Sequence, residues 1–209
     1  MPSDSKASRA GVRPLRFTLS PEKLVSSLAF FAQNTRGLDK LKAVKLLYYA
    51  DKYHLTRYGR PIIGDIYFRL DYGPVPSKSL NIINDAIDPY KLRNVEQPIL
   101  DLFSKFIHVN RGKKHATLES KRGPDLEVLS NSEQEALNET VKRYGRCSGP
   151  QLIDLTHREA PWKKTKKNAE IDYWLFFEGE PDAKEDARHY FMALPENMEV
   201  LFQLSAPPR

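Results

Sequence analysis

Apolar residues recur at helical spacing in two stretches near the start of the chain. Leu24, Leu28 and Phe31 stand at i, i+4 and i+7 with Val25 beside them, which predicts one buried face on a helix over about 21–34. Its start is signalled by Ser20, whose hydroxyl can accept backbone N–H bonds, by Pro21 at the first helical position and by Glu22 near the positive helix end. Leu41, Val44, Leu47, Tyr48 and Leu55 repeat the pattern and predict a second helix from about Asp39 to Tyr58, with Lys40, Lys45 and Lys52 largely on other faces. Gly59-Arg60-Pro61 stops it, because glycine accepts a left-handed backbone and proline cannot continue a helix.

The period then changes. Ile66, Tyr67 and Phe68 are β-formers and predict a short strand near 65–70. Asp71 to Pro76 reads as a turn, since two prolines and a glycine should deny it a ladder, and a third helix is expected over about 77–87. Phe106, His108 and Asn110 on one side and Ala116 and Leu118 on the other bracket Arg111-Gly112-Lys113-Lys114, the pattern of a hairpin within 104–122. Two capping boxes follow, Ser130 with Glu133 and Ser148 with Gln151, each opening a helix; Gly145 stops the first. Thr156 to Trp162 is expected as a turn into a short basic helix, and a last helix over about 183–193. The class predicted is α+β, mainly α-helical: a compact helical domain with a small antiparallel sheet or hairpin. We expect one domain over 17–194, a disordered basic tail over 1–16 and a C-terminal tail over 195–209.

Composition narrows the function classes. With 209 residues the chain has the length of one domain, and 40% hydrophobic residues suffice for a core. No apolar run approaches the roughly 18–20 residues of a membrane span. One cysteine, Cys147, cannot form an internal disulfide, and the five histidines lack ligand spacing, so neither metal nor cofactor is expected. The first sixteen residues carry no apolar segment of a secretory signal, so a cytoplasmic protein is expected. Phosphate-loop, dinucleotide, nucleophile-elbow and zinc-protease motifs are all missing, and an enzyme is not expected. Cys147 reads as inert, and His54 and His157 as structural. His54 stands one turn after Asp51, where its ring can meet that carboxylate or stack among tyrosines.

The net charge of +6 matters because it is uneven. Lys105, Arg111, Lys113, Lys114, Lys121 and Arg122 face Glu119 alone within 105–122, and Arg158, Lys163, Lys164, Lys166 and Lys167 crowd 158–167. Glu178, Glu180, Asp182, Glu185 and Asp186 form an acidic stretch. Such patches suit a phosphate backbone or a charged protein partner, although a solvated tip also explains the hairpin cluster. No helix-turn-helix or aromatic RNA motif is present, so nucleic-acid binding, if any, is expected to be non-specific.

Lys45-Leu46-Leu47-Tyr48-Tyr49-Ala50-Asp51-Lys52-Tyr53-His54, then Gly59-Arg60-Pro61-Ile62 and Tyr72-Gly73-Pro74-Val75, resemble the first half of the Panacea domain of SocA-like antitoxins, also met as phage-associated proteins. Leu129-Ser130, Tyr144-Gly145 and Leu155-Thr156-His157 with Pro161-Trp162 resemble its second half, so the resemblance spans about 22–167. Asp51 departs from it, standing where a histidine or small polar residue is expected, as does Ser77-Lys78. The resemblance implies the antitoxin of a bacterial or phage type II toxin–antitoxin pair, which neutralises a protein toxin encoded by an adjacent gene through direct binding. One branch implies a proteolytic adaptor that delivers its toxin to a ClpXP-type protease; a non-specific nucleic-acid-binding regulator is a third possibility. Lys45, Tyr49 and Tyr72 are the expected partner-binding residues. Tyr48, Tyr53, Gly73, Pro74, Thr156, His157 and Trp162 are expected to serve the fold.

Overall fold

The computed structural model describes residues 17–90, 95–112, 115–181 and 183–193. The expected tails over 1–16 and 195–209 lie outside them, as do Lys113 and Lys114 of the expected hairpin tip.

Helix α1 (Pro21–Asn34) starts where its signals place it: the Ser20 hydroxyl accepts the Lys23 N–H. Helix α2 (Lys40–Tyr58) is capped by the Asp39 carboxylate and ends at Gly59 with φ +77°. From Lys42 to Thr56 every residue of α2 except Tyr53 is buried. The expected separation of Lys45 and Lys52 from the buried face therefore fails. The reason is tertiary: other elements enclose α2, and a helix surrounded in this way has no solvated side.

On one side of α2, α1 packs with α3 (Ser77–Ile87), α4 (Gln97–Phe106), the hairpin of β3 (Ile107–Arg111) and β4 (Ala116–Ser120), and α5 (Asn131–Tyr144). Their shared core is mostly aliphatic, with Leu24, Leu28, Leu46, Leu47, Ile83 and Leu137 at its centre. On the other side lie α6 (Gly149–His157), a 3-10 turn (Tyr173–Phe177) and α8 (Glu185–Ala193). That second core is aromatic, built on Tyr48, Tyr67, Tyr173, Phe176 and Phe191. A short α7 (Ala160–Lys164) links α6 to this side, and both predicted capping boxes close.

Two expectations need correction. Gly73–Pro76 is a strand, β2, paired antiparallel with β1 (Tyr67–Leu70), and only Asp71-Tyr72 remains as turn. Prolines fit because Pro74 and Pro76 oppose Arg69 and Tyr67, whose backbone groups point the other way, the Arg69 N–H to Ala169 and the Tyr67 carbonyl to Ile171. The missing proline donors fall where the ladder needs none. The second correction is α4, which precedes the hairpin and delays its start from Ser104 to Ile107; Ile99, Phe103 and Phe106 carry a helical spacing that sequence reasoning passed over. The strands form two separate two-stranded antiparallel sheets, within the mainly helical α+β class expected.

Candidate functional site

The polar residues buried along α2 divide into three groups. The first anchors the chain that follows the helix. Asp51 accepts the Ile62 and Ile63 N–H groups at 2.8 and 2.9 Å and the Tyr67 hydroxyl at 3.1 Å. Burial pushes its carboxyl up to about 7 against these bonds. It does not meet His54. The His54 Nδ1 lies 2.7 Å from the Arg60 carbonyl, which can only accept, so Nδ1 carries the proton and Nε2 accepts from the Ser132 hydroxyl at 3.0 Å. Burial lowers its pKa and keeps that neutral tautomer. Asp65 accepts the Lys78 and Ser79 N–H groups at 3.1 and 2.6 Å, supplying the cap that Pro76 cannot give α3.

The second group joins the two halves of the chain. Gly73 has φ +96°, and a Cβ there would lie 2.5 Å from both the Lys45 Nζ and the Thr156 Oγ1. Lys45 donates to the Pro74 carbonyl at 2.8 Å, and desolvation lowers its ammonium to about 7. Thr156 turns its hydroxyl back to the Leu152 and Ile153 carbonyls, each at 3.0 Å. The His157 ring stacks on Trp162 at 3.9 Å, and the indole donates to the Leu70 carbonyl at 3.0 Å. The Arg69 guanidinium also lies over the Trp162 ring, 4.2 Å from its centroid. Desolvation, then the positive charge of Lys45, lower the His157 pKa.

The third group is ionic. Lys52 bridges Glu159 and Glu180 at 2.9 Å each, and Tyr48 donates to Glu159 at 2.5 Å. Desolvation opposes its charge, yet the two carboxylates raise its pKa above the usual lysine value. Beside this bridge a small cleft between α2 and α5 is lined by Tyr49, Tyr53, Arg57, Thr140, Arg143, Tyr144 and Glu180. Tyr49 stacks on Tyr144 at 3.8 Å. The Tyr49 and Thr140 hydroxyls are buried and make no hydrogen bond among the described residues. Sequence reasoning missed Lys52, Thr140, Glu159 and Glu180. The spacing of Lys45 and Lys52, seven residues apart with two tyrosines between, was the one available sign of a shared polar face.

The three expected partner-binding residues are not brought together. Tyr72 is 68% exposed at the β1–β2 turn, Tyr49 is 3% exposed in the cleft, and Lys45 is fully buried. Lys45 is out of reach of a partner unless the fold opens, because β2 covers its ammonium. Of the residues expected to serve the fold, Tyr48 is buried, while Tyr53 is partly exposed and donates to Glu135 at 2.9 Å. The charge clusters are partly spent within the protein. Lys164 pairs with Glu178, Lys167 with Asp71 at 2.8 Å, and the Lys121 ammonium and Arg111 guanidinium cap carbonyls. Among the described residues no group of three or more histidine, cysteine or acidic side chains could hold a metal ion, and no helix is long and apolar enough to cross a membrane.

A family model described as "Antitoxin SocA-like, Panacea domain" matches residues 44–163, more than half of the chain. No curated protein and no solved structure matches it. The matched span begins inside α2 and ends inside α7, so it contains all three polar groups apart from Glu180 on the far side of the Lys52 bridge.

Proposed function

The chain belongs to the Panacea-domain family of SocA-like antitoxins, and we propose from that premise that it neutralises a protein toxin by direct, stoichiometric binding, as the antitoxin of a type II pair. The toxin is the product of an adjacent gene, and the complex forms in the cytoplasm. The family match over 44–163 carries the reading.

The chemistry of the polar groups supports a binding role rather than a catalytic one. Lys52, Glu159 and Glu180 are engaged with one another, Asp51 and Asp65 with backbone N–H groups, and His54 with a carbonyl and a hydroxyl. A general base must have a free lone pair facing a substrate, and these groups are turned into the fold. Tyr72, exposed at the two-residue turn between β1 and β2, and Tyr49 remain our candidates for partner contact.

Co-expression with the adjacent gene product tests the proposal. Growth rescued by this chain, together with a complex that survives size exclusion, is the expected result. Persistent toxicity with no complex would refute it. If rescue required a ClpXP-type protease and the toxin level fell, the adaptor role would replace simple neutralisation.

A further inference from the structure

The C-terminal ends of α1 and α5 meet beside the first turn of α2 and enclose a concave space of about 920 Å³. Gly145 lets the two ends approach, since a Cβ there would lie 3.3 Å from the Thr35 Cγ2. Four cations line the space, Arg36, Lys42, Lys142 and Arg146, and among the described residues no carboxylate does. None of the four belongs to either basic cluster that the sequence displays.

Lys42 forms the floor at 8% exposure. Its ammonium donates to the Gly145 carbonyl at 2.7 Å and to the Arg36 carbonyl at 3.2 Å. These bonds occupy two acceptors at the helix ends that would repel an anion, and they leave one of the three ammonium N–H groups unspent. Both partners are neutral, so the positive charge is not cancelled. Desolvation lowers the Lys42 pKa, while Asp39 and Cys147 pull it upward. The Asp39 carboxylate is itself engaged by the Lys42 backbone N–H at 2.8 Å. At the rim, Lys142 pairs with Glu139 at 3.1 Å and adds no free charge. Arg36 and Arg146 are exposed, and among the described residues neither has a carboxylate partner. Lys42, Arg36 and Arg146 therefore give the space three cations without a counter-ion.

That excess suits an anion of more than one charge. A phosphate group carries about −1.5 to −2 near neutral pH, and the planar guanidinium fork matches its oxygens in pairs. No aromatic side chain lines the space and Val141 is the single hydrophobic residue of its wall, so neither a stacked base nor an acyl chain finds a surface there. Ligand sites commonly span about 300–1,000 Å³, room enough for linked phosphates.

We propose that this space binds phosphate groups, with Arg36 and Arg146 holding the oxygens and the unspent Lys42 N–H reaching one from the floor. A free phosphate compound and the phosphodiester backbone of a nucleic acid share that chemistry. The site goes beyond the antitoxin reading and does not depend on it.

The test titrates the full ¹⁵N-labelled chain with inorganic pyrophosphate and, separately, with acetate, at constant ionic strength. Pyrophosphate should shift the backbone amides of Thr35, Arg36, Gly145 and Arg146 saturably, with acetate at least about tenfold weaker. Arg36→Gln and Arg146→Gln should each weaken pyrophosphate about tenfold, the loss expected for one hydrogen bond between charged groups. Both side chains are exposed, so melting should not change. The double variant Lys163→Gln, Lys166→Gln, in the basic cluster after α6, should bind pyrophosphate as wild type does. Shifts that are absent, that do not saturate, that acetate matches, or that the Lys163/Lys166 variant weakens equally would overturn the proposal. A single-stranded oligonucleotide then separates the sources. Binding that both arginine variants weaken identifies a phosphodiester backbone, and oligonucleotide binding that is absent or indifferent to them assigns the site to a free phosphate compound.

Discussion

The Lys45 ammonium donates to the Pro74 carbonyl 2.8 Å away, and it does so at a fully buried position where desolvation lowers its pKa. A cation held by a neutral carbonyl in place of a carboxylate ties the central helix to β2 at a cost in charge solvation.

That cost depends on pH. The folded ammonium titrates at about 7 and a free lysine near 10.5, so between these values the unfolded chain binds the extra proton. Stability therefore rises with pH across that window, and the full penalty is present below it. Lys45→Met removes the penalty. Its melting temperature relative to wild type should be most favourable near about pH 6 and should decline towards about pH 10. Melts followed by circular dichroism across this range check it, and a difference independent of pH would remove Lys45 as the titrating group.

Gly73→Ala should destabilise the fold by about 2 kcal/mol or more, from positive φ and from overlap together. Its Cβ would fall 2.5 Å from the Lys45 Nζ and the Thr156 Oγ1. Urea titration measures the loss. The double variant Gly73→Ala, Lys45→Met should recover part of it, because the shorter, uncharged side chain can yield; an additive result would locate the strain in the backbone and the Thr156 overlap instead.

Glu133 is fully buried and accepts from Lys23 at 2.7 Å, Arg60 at 2.8 Å and the Ser130 N–H at 2.8 Å. Burial raises its pKa, but these partners outweigh burial and hold it below 4.5. The depressed folded value means the contribution is present above the unfolded pKa and fades as pH falls through the folded one. Glu133→Gln should cost about 2 kcal/mol at neutral pH, discounted because Lys23 and Arg60 are partly solvated. The gap to wild type should narrow as pH falls through the depressed folded value. Denaturant melts across the acid range decide it.

Trp162→Ala should cost about 2–3 kcal/mol, less than a fully enclosed ring would, because the indole is half-buried. The loss comprises the Leu70 hydrogen bond and the stacking of His157 and Arg69. Differential scanning calorimetry of the isolated variant gives the figure, and neutralisation should survive below its melting temperature. Unchanged melting with neutralisation lost would move Trp162 from the fold to the interface.

Much of the local structure was written in short-range chemistry. Ser20, Asp39, Ser130 and Ser148 cap the helices they announce, and Gly59 takes the left-handed backbone its position requires, because a cap is satisfied within three or four residues of itself. The family too was legible, in the blocks around Lys45–His54 and Thr156–Trp162. What surrounds α2 was not. Periodicity marks the side of a helix that is apolar, and it carries no mark for a lysine buried by elements that arrive from elsewhere in the chain. Lys45 is enclosed by β2, Lys52 by Glu159 and Glu180, and Tyr49 and Thr140 face each other's cleft across α2 and α5. Likewise Pro74 and Pro76 join a strand because Arg69 and Tyr67 spend their backbone groups on residues 168–171, about a hundred positions away. Caps, turns and family are properties of neighbours in sequence; burial, ion pairing and the cleft between α2 and α5 are properties of neighbours in space, and the tertiary fold alone decides which residues those are.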